Sequence, residues 1–311
     1  ERYPILHKEY ITPDGTLKVE VNKTDDWPYG DHVPFLDDYI APRARKQLIT
    51  GPADLPGLRY LLTPPSREII ADFHEMARSW QQFAQEHQLL TSGGAGVGGD
   101  MAGWLCGLQE LIFLGMDAPD FVAELLQTIA RWNLQRMEIV LDAGIELWVR
   151  RGWYESCDFW SPRSYRQFIL PHLKQEVELA HSREVKFGYI MTSSMMPLLD
   201  MILEAGVDVL IGIDPLMGNT DIRAVKAKTN GQMCLWGGVN APLTVEQGQP
   251  DEVRQAVWEA LETLSPGGGF ILAPVDDVED PSPRAWNNAH HFIKAWQEWR
   301  EGDDFVSAPK W

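Results

Sequence analysis

Basic side chains are in short supply: 27 lysines and arginines stand against 45 aspartates and glutamates, a formal charge of −18 over 311 residues. Phosphate recognition needs clustered Lys and Arg, so this balance argues against nucleic acid or an anionic membrane as a partner. Cysteine is equally sparse. Cys106, Cys157 and Cys234 make no CxxC pair, which suggests neither a disulfide scaffold nor a zinc ribbon and favours a reducing cytoplasm. No apolar run is long enough to span a bilayer, and no charged, apolar, small-residue leader opens the chain. The first residue is Glu1 rather than methionine, which suggests a start inside a longer protein.

What is present is alternation. Hydrophobic content of 44% is ordinary for a globular protein, and no composition break divides the length, so one large domain is expected. Residues 10–22 read as a β-hairpin turning at Asp14-Gly15, with Leu17, Val19 and Val21 on one face. The stretch from Trp27 to Pro65 shows no period and reads as wrapping loops, after which Ser66 caps a helix reaching about His87. A glycine-dense stretch at 91–99 lacks both a GxGxxG fingerprint and a Walker lysine, so a strand-to-loop rim is favoured over a phosphate cradle.

Beyond it, helix and strand take turns. Asp117-Ala-Pro-Asp120 is expected to cap one helix, Ser161-Pro162 starts another, and Ser282-Pro283 starts a last one with Trp286, Ala289, Ile293 and Trp296 turned inward. Strands are expected near residues 145, 185, 207, 233 and 270, with a weaker one near 89. Each empties into polar residues at its carboxyl end. Such alternation implies a parallel sheet, and the length suits an eight-stranded barrel. Six strands leave the first two absent or disguised in residues 1–88.

Three segments carry a family likeness: Leu-Glu-Ala-Gly-Val-Asp-Val-Leu (203–210), Cys-Leu-Trp-Gly-Gly-Val-Asn (234–240) and Ser-Pro-Gly-Gly-Gly-Phe-Ile-Leu-Ala-Pro (265–274). Together they resemble the uroporphyrinogen decarboxylase superfamily, which also contains the corrinoid and coenzyme M methyltransferases. The likeness covers roughly residues 89–300, and the hairpin resembles an insertion in the methyltransferase-like branch. It implies a TIM (β/α)8 barrel over 89–311, with 1–88 as a hairpin and wrapping segment of the same domain. It also implies a zinc site in the coenzyme M branch, where a His-x-Cys motif and a later Cys bind the metal. Here Ile190, Thr192 and Asp276 fall at those positions, and isoleucine ligates nothing, so no metal site is expected.

The groups left at the strand ends define the candidate chemistry. Asp276, Glu155 and Tyr154 are the candidate catalytic residues; Asp276 is favoured over adjacent Asp277 by its family position, since only one of two neighbours in an extended segment points inward. Arg150, Arg151, Trp153, Thr192, Asp214, Trp236 and Asn240 are the candidate substrate contacts. The two arginines can clamp a carboxylate or pair instead with Glu155 and Asp158. Trp104, Trp153, Trp160 and Trp236 suit either a pocket wall or core packing, whereas His172, His181, His290 and His291 fall on helices as surface or packing residues.

The leading expectation is a methyltransferase acting on a small methylated substrate without a thiol-activating zinc, with no tightly bound cofactor. The resemblance implies a corrinoid carried by a partner protein. Decarboxylation of a polycarboxylate such as a tetrapyrrole is the alternative, and a non-catalytic binding protein on a degenerate barrel is a third. A homodimer is compatible with each. Metal analysis of the purified protein is expected to find well under one zinc per chain, and stoichiometric zinc would refute the reading of positions 190, 192 and 276.

Overall fold

A computed structural model describes residues 2–229 and 231–302. The chain divides into two compact units, Glu1–Glu155 with Phe159–Val185, and Ser156–Asp158 with Lys186–Trp311.

In the first unit β1 (Ile5–Thr12) and β2 (Gly15–Asn22) form the hairpin, with Thr12 opposite Gly15. Leu17, Val19 and Val21 are buried, so alternation set one dry face as the pattern requires. The segment expected to be loops contains a short strand and a helix, each preceded by a 3-10 turn. β3 (Ala44–Lys46) joins β2 in antiparallel pairing, and α1 (Leu55–Leu61) buries Leu55 and Leu58. Gly57 lets that helix sit on Leu17, since an added Cβ would lie 3.2 Å from the leucine Cγ. With only seven residues, α1 is too short to show a helical period in sequence.

α2 (Arg67–His87) begins where expected, with Ser66 Oγ accepting the Ile69 amide at 3.3 Å. The glycine-dense stretch becomes β4 (Ser92–Gly96), followed by α3 (Gly99–Cys106), α4 (Leu108–Asp117) and α5 (Pro119–Asp142). Asp117 does not cap α5. The capping position belongs to Ala118, and Pro119 opens the helix instead, because its fixed φ and missing N–H suit the first turn. β5 (Leu147–Arg151) then pairs in parallel with β4, and α6 (Pro162–Phe168) and α7 (Leu170–Ser182) complete the unit.

The second unit repeats strand and helix: β6 (Lys186–Ile190), α8 (Leu199–Ala205), β7 (Val209–Ile213), α9 (Ile222–Thr229) and β8 (Cys234–Asn240). A π-helical turn at Ala241–Glu246, α10 (Pro250–Leu264), β9 (Phe270–Val275) and α11 (Pro283–Glu301) follow. Strands β6 to β9 pair in parallel in chain order. Six parallel strands are thus present among the described residues, at the positions read from sequence. Consecutive parallel strands require helical crossovers on their faces, and the core shows one: Val239 of β8 packs with Val257, Ala260 and Leu261 of α10.

The face expected for α11 is wrong. Trp286 is 64% exposed and Ile293 51%, while Ala285, Asn288 and Ala295 are buried. The helix approaches α10 closely, Trp258 Nε1 donating to the Ala295 carbonyl at 3.2 Å, and small residues permit that approach where tryptophan does not.

Close approach also joins two loops of this unit. Gly218 has φ +60°, and a Cβ there would lie 1.9 Å from the Ser194 amide nitrogen. Gly218→Ala therefore forces the backbone to shift and adds left-handed strain, with an expected loss of roughly 2–3 kcal/mol in urea unfolding. A loss under about 0.5 kcal/mol would show the loops to be free of one another.

Candidate functional site

Strand β5 delivers two arginines with different fates. Arg150 is 1% exposed, and its guanidinium lies between two carboxylates: Nη2 donates to Glu155 Oε1 at 2.7 Å, and Nη1 donates to Glu176 on α7. Glu155 Oε1 also accepts the Gly99 amide at 2.5 Å. Only glycine fits at position 98, because a Cβ there would stand 2.1 Å from Arg150 Nη2. The glycine-dense stretch thus serves the close approach of backbone to an arginine of the protein itself. Burial drives the Glu176 carboxyl up to about 7; the charge of Glu155 adds to this and Arg150 opposes it.

Arg151 is also engaged. Its Nε donates to Asp100 at 3.1 Å and its Nη2 to Asp38, and the guanidinium lies 4.0 Å from the ring centre of Trp153 and 4.9 Å from that of Trp104. Asp100, fully buried, accepts the Tyr154 amide at 2.8 Å and the Trp153 amide at 3.3 Å. Its carboxyl is pushed up to about 7, first by burial and then by Glu155. Tyr154 is raised to about 12 by burial and by its neighbour Asp38. In this unit, then, Arg150, Arg151, Trp153, Tyr154 and Glu155 come together as a dense charged network whose members bind one another. Trp104 and Trp160 are buried in it, donating from Nε1 to Asp38 and to the Tyr154 carbonyl respectively.

The second unit carries its polar groups at the carboxyl ends of four consecutive strands. After β6, Ser193 Oγ and Ser194 Oγ donate to Asp158 at 2.5 and 2.6 Å, and Ser156 Oγ joins them at 3.2 Å. Partial burial would raise this carboxyl, but the three hydroxyls outweigh it and hold Asp158 below the usual carboxylate range. Asp158 thus serves serines and pairs with no arginine among the contacts described. Thr192 is half-buried beside them.

After β7, Asp214 is fully buried and accepts the Leu216 amide at 2.9 Å and Asn240 Nδ2 at 2.7 Å. Asn240 closes β8, and Trp236, half-buried, lies four residues before it on the same strand. After β9 comes Asp276, whose φ of +65° is left-handed, a conformation aspartate tolerates better than most residues. Its side chain reaches solvent, yet partial desolvation and the charges of Asp214 and Asp277 raise its proton affinity. Asp214, Asn240 and Asp276 therefore meet at one mouth.

The expected candidates fall into these two groups, each within its own unit. Sequence reasoning missed Asp38, Asp100 and Glu176 as partners of the arginines, and the serines as partners of Asp158. For Asp100 a signal existed, a carboxylate directly after Gly98-Gly99 at the end of the glycine-dense stretch; for Glu176, in mid-helix, none did. Among the described residues no group of three or more His, Cys, Asp or Glu is arranged to hold a metal ion. Nor, among the described residues, is any helix long and apolar enough to cross a membrane.

With this geometry in view, comparison with known proteins is specific on one point. The family model described as uroporphyrinogen decarboxylase (URO-D) matches residues 67–299. Among solved structures, a methyltransferase from Methanosarcina mazei superposes with a TM-score of 0.56 at 21% identity, covering 68% of this chain and 59% of that one. The chain thus spans about three fifths of that methyltransferase. A 3-keto-D-glucoside 4-epimerase from E. coli gives 0.43 at 14% identity, covering 74% and 86%. No curated protein sequence matches.

Stability should report the buried Glu176 carboxyl. Glu176 keeps a proton in the folded chain that an unfolded glutamate releases near pH 4.5, so stability falls as pH rises from there to about 7 and then levels, by up to about 1.4 kcal/mol per pH unit. Glu176→Gln is expected to flatten this slope in melts between about pH 5.5 and 8, and an unchanged slope would assign the protons elsewhere.

Proposed function

Because the chain belongs to the uroporphyrinogen decarboxylase family, whose members are enzymes and whose α/β-barrel fold it shares, we propose that it transfers a methyl group from a small methylated substrate to a corrinoid carried by a partner protein. The observation that carries this reading is the carboxylate pair at the ends of β7 and β9. Asp214 has an N–H on each oxygen, and Asp276 beside it holds a proton more tightly than an ordinary aspartate. A carboxyl whose hold on its proton is strengthened in this way can deliver that proton to a leaving oxygen as the methyl departs.

The corrinoid, when bound, supplies the nucleophile that takes the methyl group. Residues here fit a macrocycle presented by another protein: Leu216 and Met217 after β7, Leu243 after β8 and Val278 after β9 are apolar and exposed around the acids. Asp276 gives up its proton, Asp214 ties the turn after β7 to Asn240, and Asp158 holds the serine loop in place. Positions 190 and 192 provide no zinc ligand set of the thiol-activating kind, so the methyl acceptor in this scheme is not a metal-bound thiol.

Decarboxylation of a polycarboxylate finds less support. The segments 156–158, 191–198, 214–221, 240–249 and 276–282 of the second unit hold eight carboxylates and no Lys, Arg or His. Arg150 and Arg151 are both held by carboxylates of the chain. A polyanion entering such a mouth meets like charge.

Mixing the protein with methylated and methoxylated compounds and a reduced corrinoid protein should change the corrinoid absorption spectrum, with a rate that falls as pH rises through the titration of Asp276. Asp276→Asn should cost about 100-fold or more in rate with an unchanged melting temperature. Full activity in that variant would remove Asp276 from the site, and an inert spectrum across a broad panel would remove the transfer itself.

A further inference from the structure

Around Arg151 the first unit holds a set of hydrogen-bond donors that its own carboxylates do not exhaust. The guanidinium is fixed from several sides. Its Nε donates to fully buried Asp100 at 3.1 Å, and the Trp153 and Trp104 ring centres lie 4.0 and 4.9 Å from it. Asp100 in turn accepts the Trp153 and Tyr154 amides, and the Tyr154 carbonyl accepts Trp160 Nε1 at 2.8 Å. None of these contacts involves Asp38.

Asp38 enters this cradle from the segment between β2 and β3. One of its oxygens accepts Trp104 Nε1 and the other accepts Arg151 Nη2, with the Tyr154 phenol beside them. Its grip on the arginine is single-pronged. Among the described residues Arg151 Nη1 has no partner, and the buried Trp153 Nε1, on a ring stacked against the guanidinium, makes no hydrogen bond. A guanidinium holds a carboxylate best through two parallel N–H bonds, and a buried N–H without an acceptor is destabilising.

The two arginines of β5 also differ in access. Arg150 and its two glutamates are exposed by 1% or less, whereas the side chains of Arg151 and Asp38 are 21% and 31% exposed. Arg151 ends its strand, at the carboxyl edge where parallel α/β sheets bind small molecules. Arg150 is therefore sealed by its partners, and Arg151 is reachable.

We infer that Arg151, Trp104, Trp153 and Tyr154 form a recognition site for a small carboxylate, which Asp38 fills from within the chain until the carboxylate of a ligand takes its place. The incoming group spans Nη1 and Nη2 side-on, the bidentate grip that Asp38 forgoes. Exchange swaps one carboxylate for another, so no net charge is added around Arg151; a polyanion would not meet that condition. The inference stands apart from the transfer reading, whose residues lie in the second unit.

The test uses 4-fluorobenzoate, with 4-fluorobenzamide as a neutral probe of similar shape, both followed by fluorine NMR on the whole chain. An occupant in cis lowers the apparent affinity by the fraction of time it leaves the site free, so Asp38→Asn should bind the benzoate at least about tenfold more tightly than the unaltered protein does, while the benzamide gains nothing. Adding Arg151→Lys, which keeps the charge and loses the fork, should undo that gain. In the unaltered protein, saturating benzoate should speed hydrogen exchange across residues 36–40, a measurement that needs no variant. Equal benzoate affinity in the two chains, none included, overturns the inference; so does a benzamide that binds as well as the benzoate, or exchange that ignores the benzoate.

Discussion

A guanidinium withdrawn from water must be met by anions, and much of the first unit is arranged around that requirement. Arg150 leaves β5 into a space where Glu155 and Glu176 receive it, and desolvating a charge costs several kcal/mol unless its partners are well placed. Those partners fix other things in turn. Glu155 takes the Gly99 amide and so anchors the start of α3, while Glu176 ties α7 to the strand. Two acids on one base leave an excess negative charge, which a retained proton on Glu176 relieves. Asp100 and Arg151 repeat the pattern one residue on, drawing in Asp38 from the N-terminal segment.

The second unit uses carboxylates for another purpose. Its acids stand at strand ends, Asp214 buried and Asp276 exposed, and they are distinguished by their donors. Asp158 collects hydroxyls, Asp214 collects N–H groups, and Asp276 has neither recorded on it among the described residues. Asp158 and Asp276, of the same intrinsic acidity, are thereby moved in opposite directions in proton affinity by their surroundings. This division of labour is what a proton-transferring site needs, and it arises from strand-end positions that an α/β barrel places side by side.

Local features were the legible part of the sequence. The hairpin turn at Asp14-Gly15, the Ser66, Ser161 and Ser282 caps and all six parallel strands follow from contacts within a few residues, and they stand where patterning put them. Pairings across long separations were not legible. Arg150 finds Glu176 26 residues away, and Asp38 reaches Arg151 across 113, with no periodic signal to announce either. The α11 face failed for a related reason: an apolar stripe at helical spacing shows that a helix has a face, but the neighbour decides which face is covered, and α10 selected alanines over tryptophans. At the mouth, strand ends were readable while roles were not, because the role of Asn240 depends on a backbone amide three residues on and a carboxylate 26 residues back.

The contact between Gly218 and the Ser194 amide has a mechanical meaning for the rim. With no slack between them, the turn that begins at Asp214 and the serine turn that Asp158 grips behave as a single stiff arc. The ordering entropy of that arc is spent when the chain folds, not when a ligand arrives. A guest at this edge meets a surface already cast, and any gating has to come from segments other than these two turns.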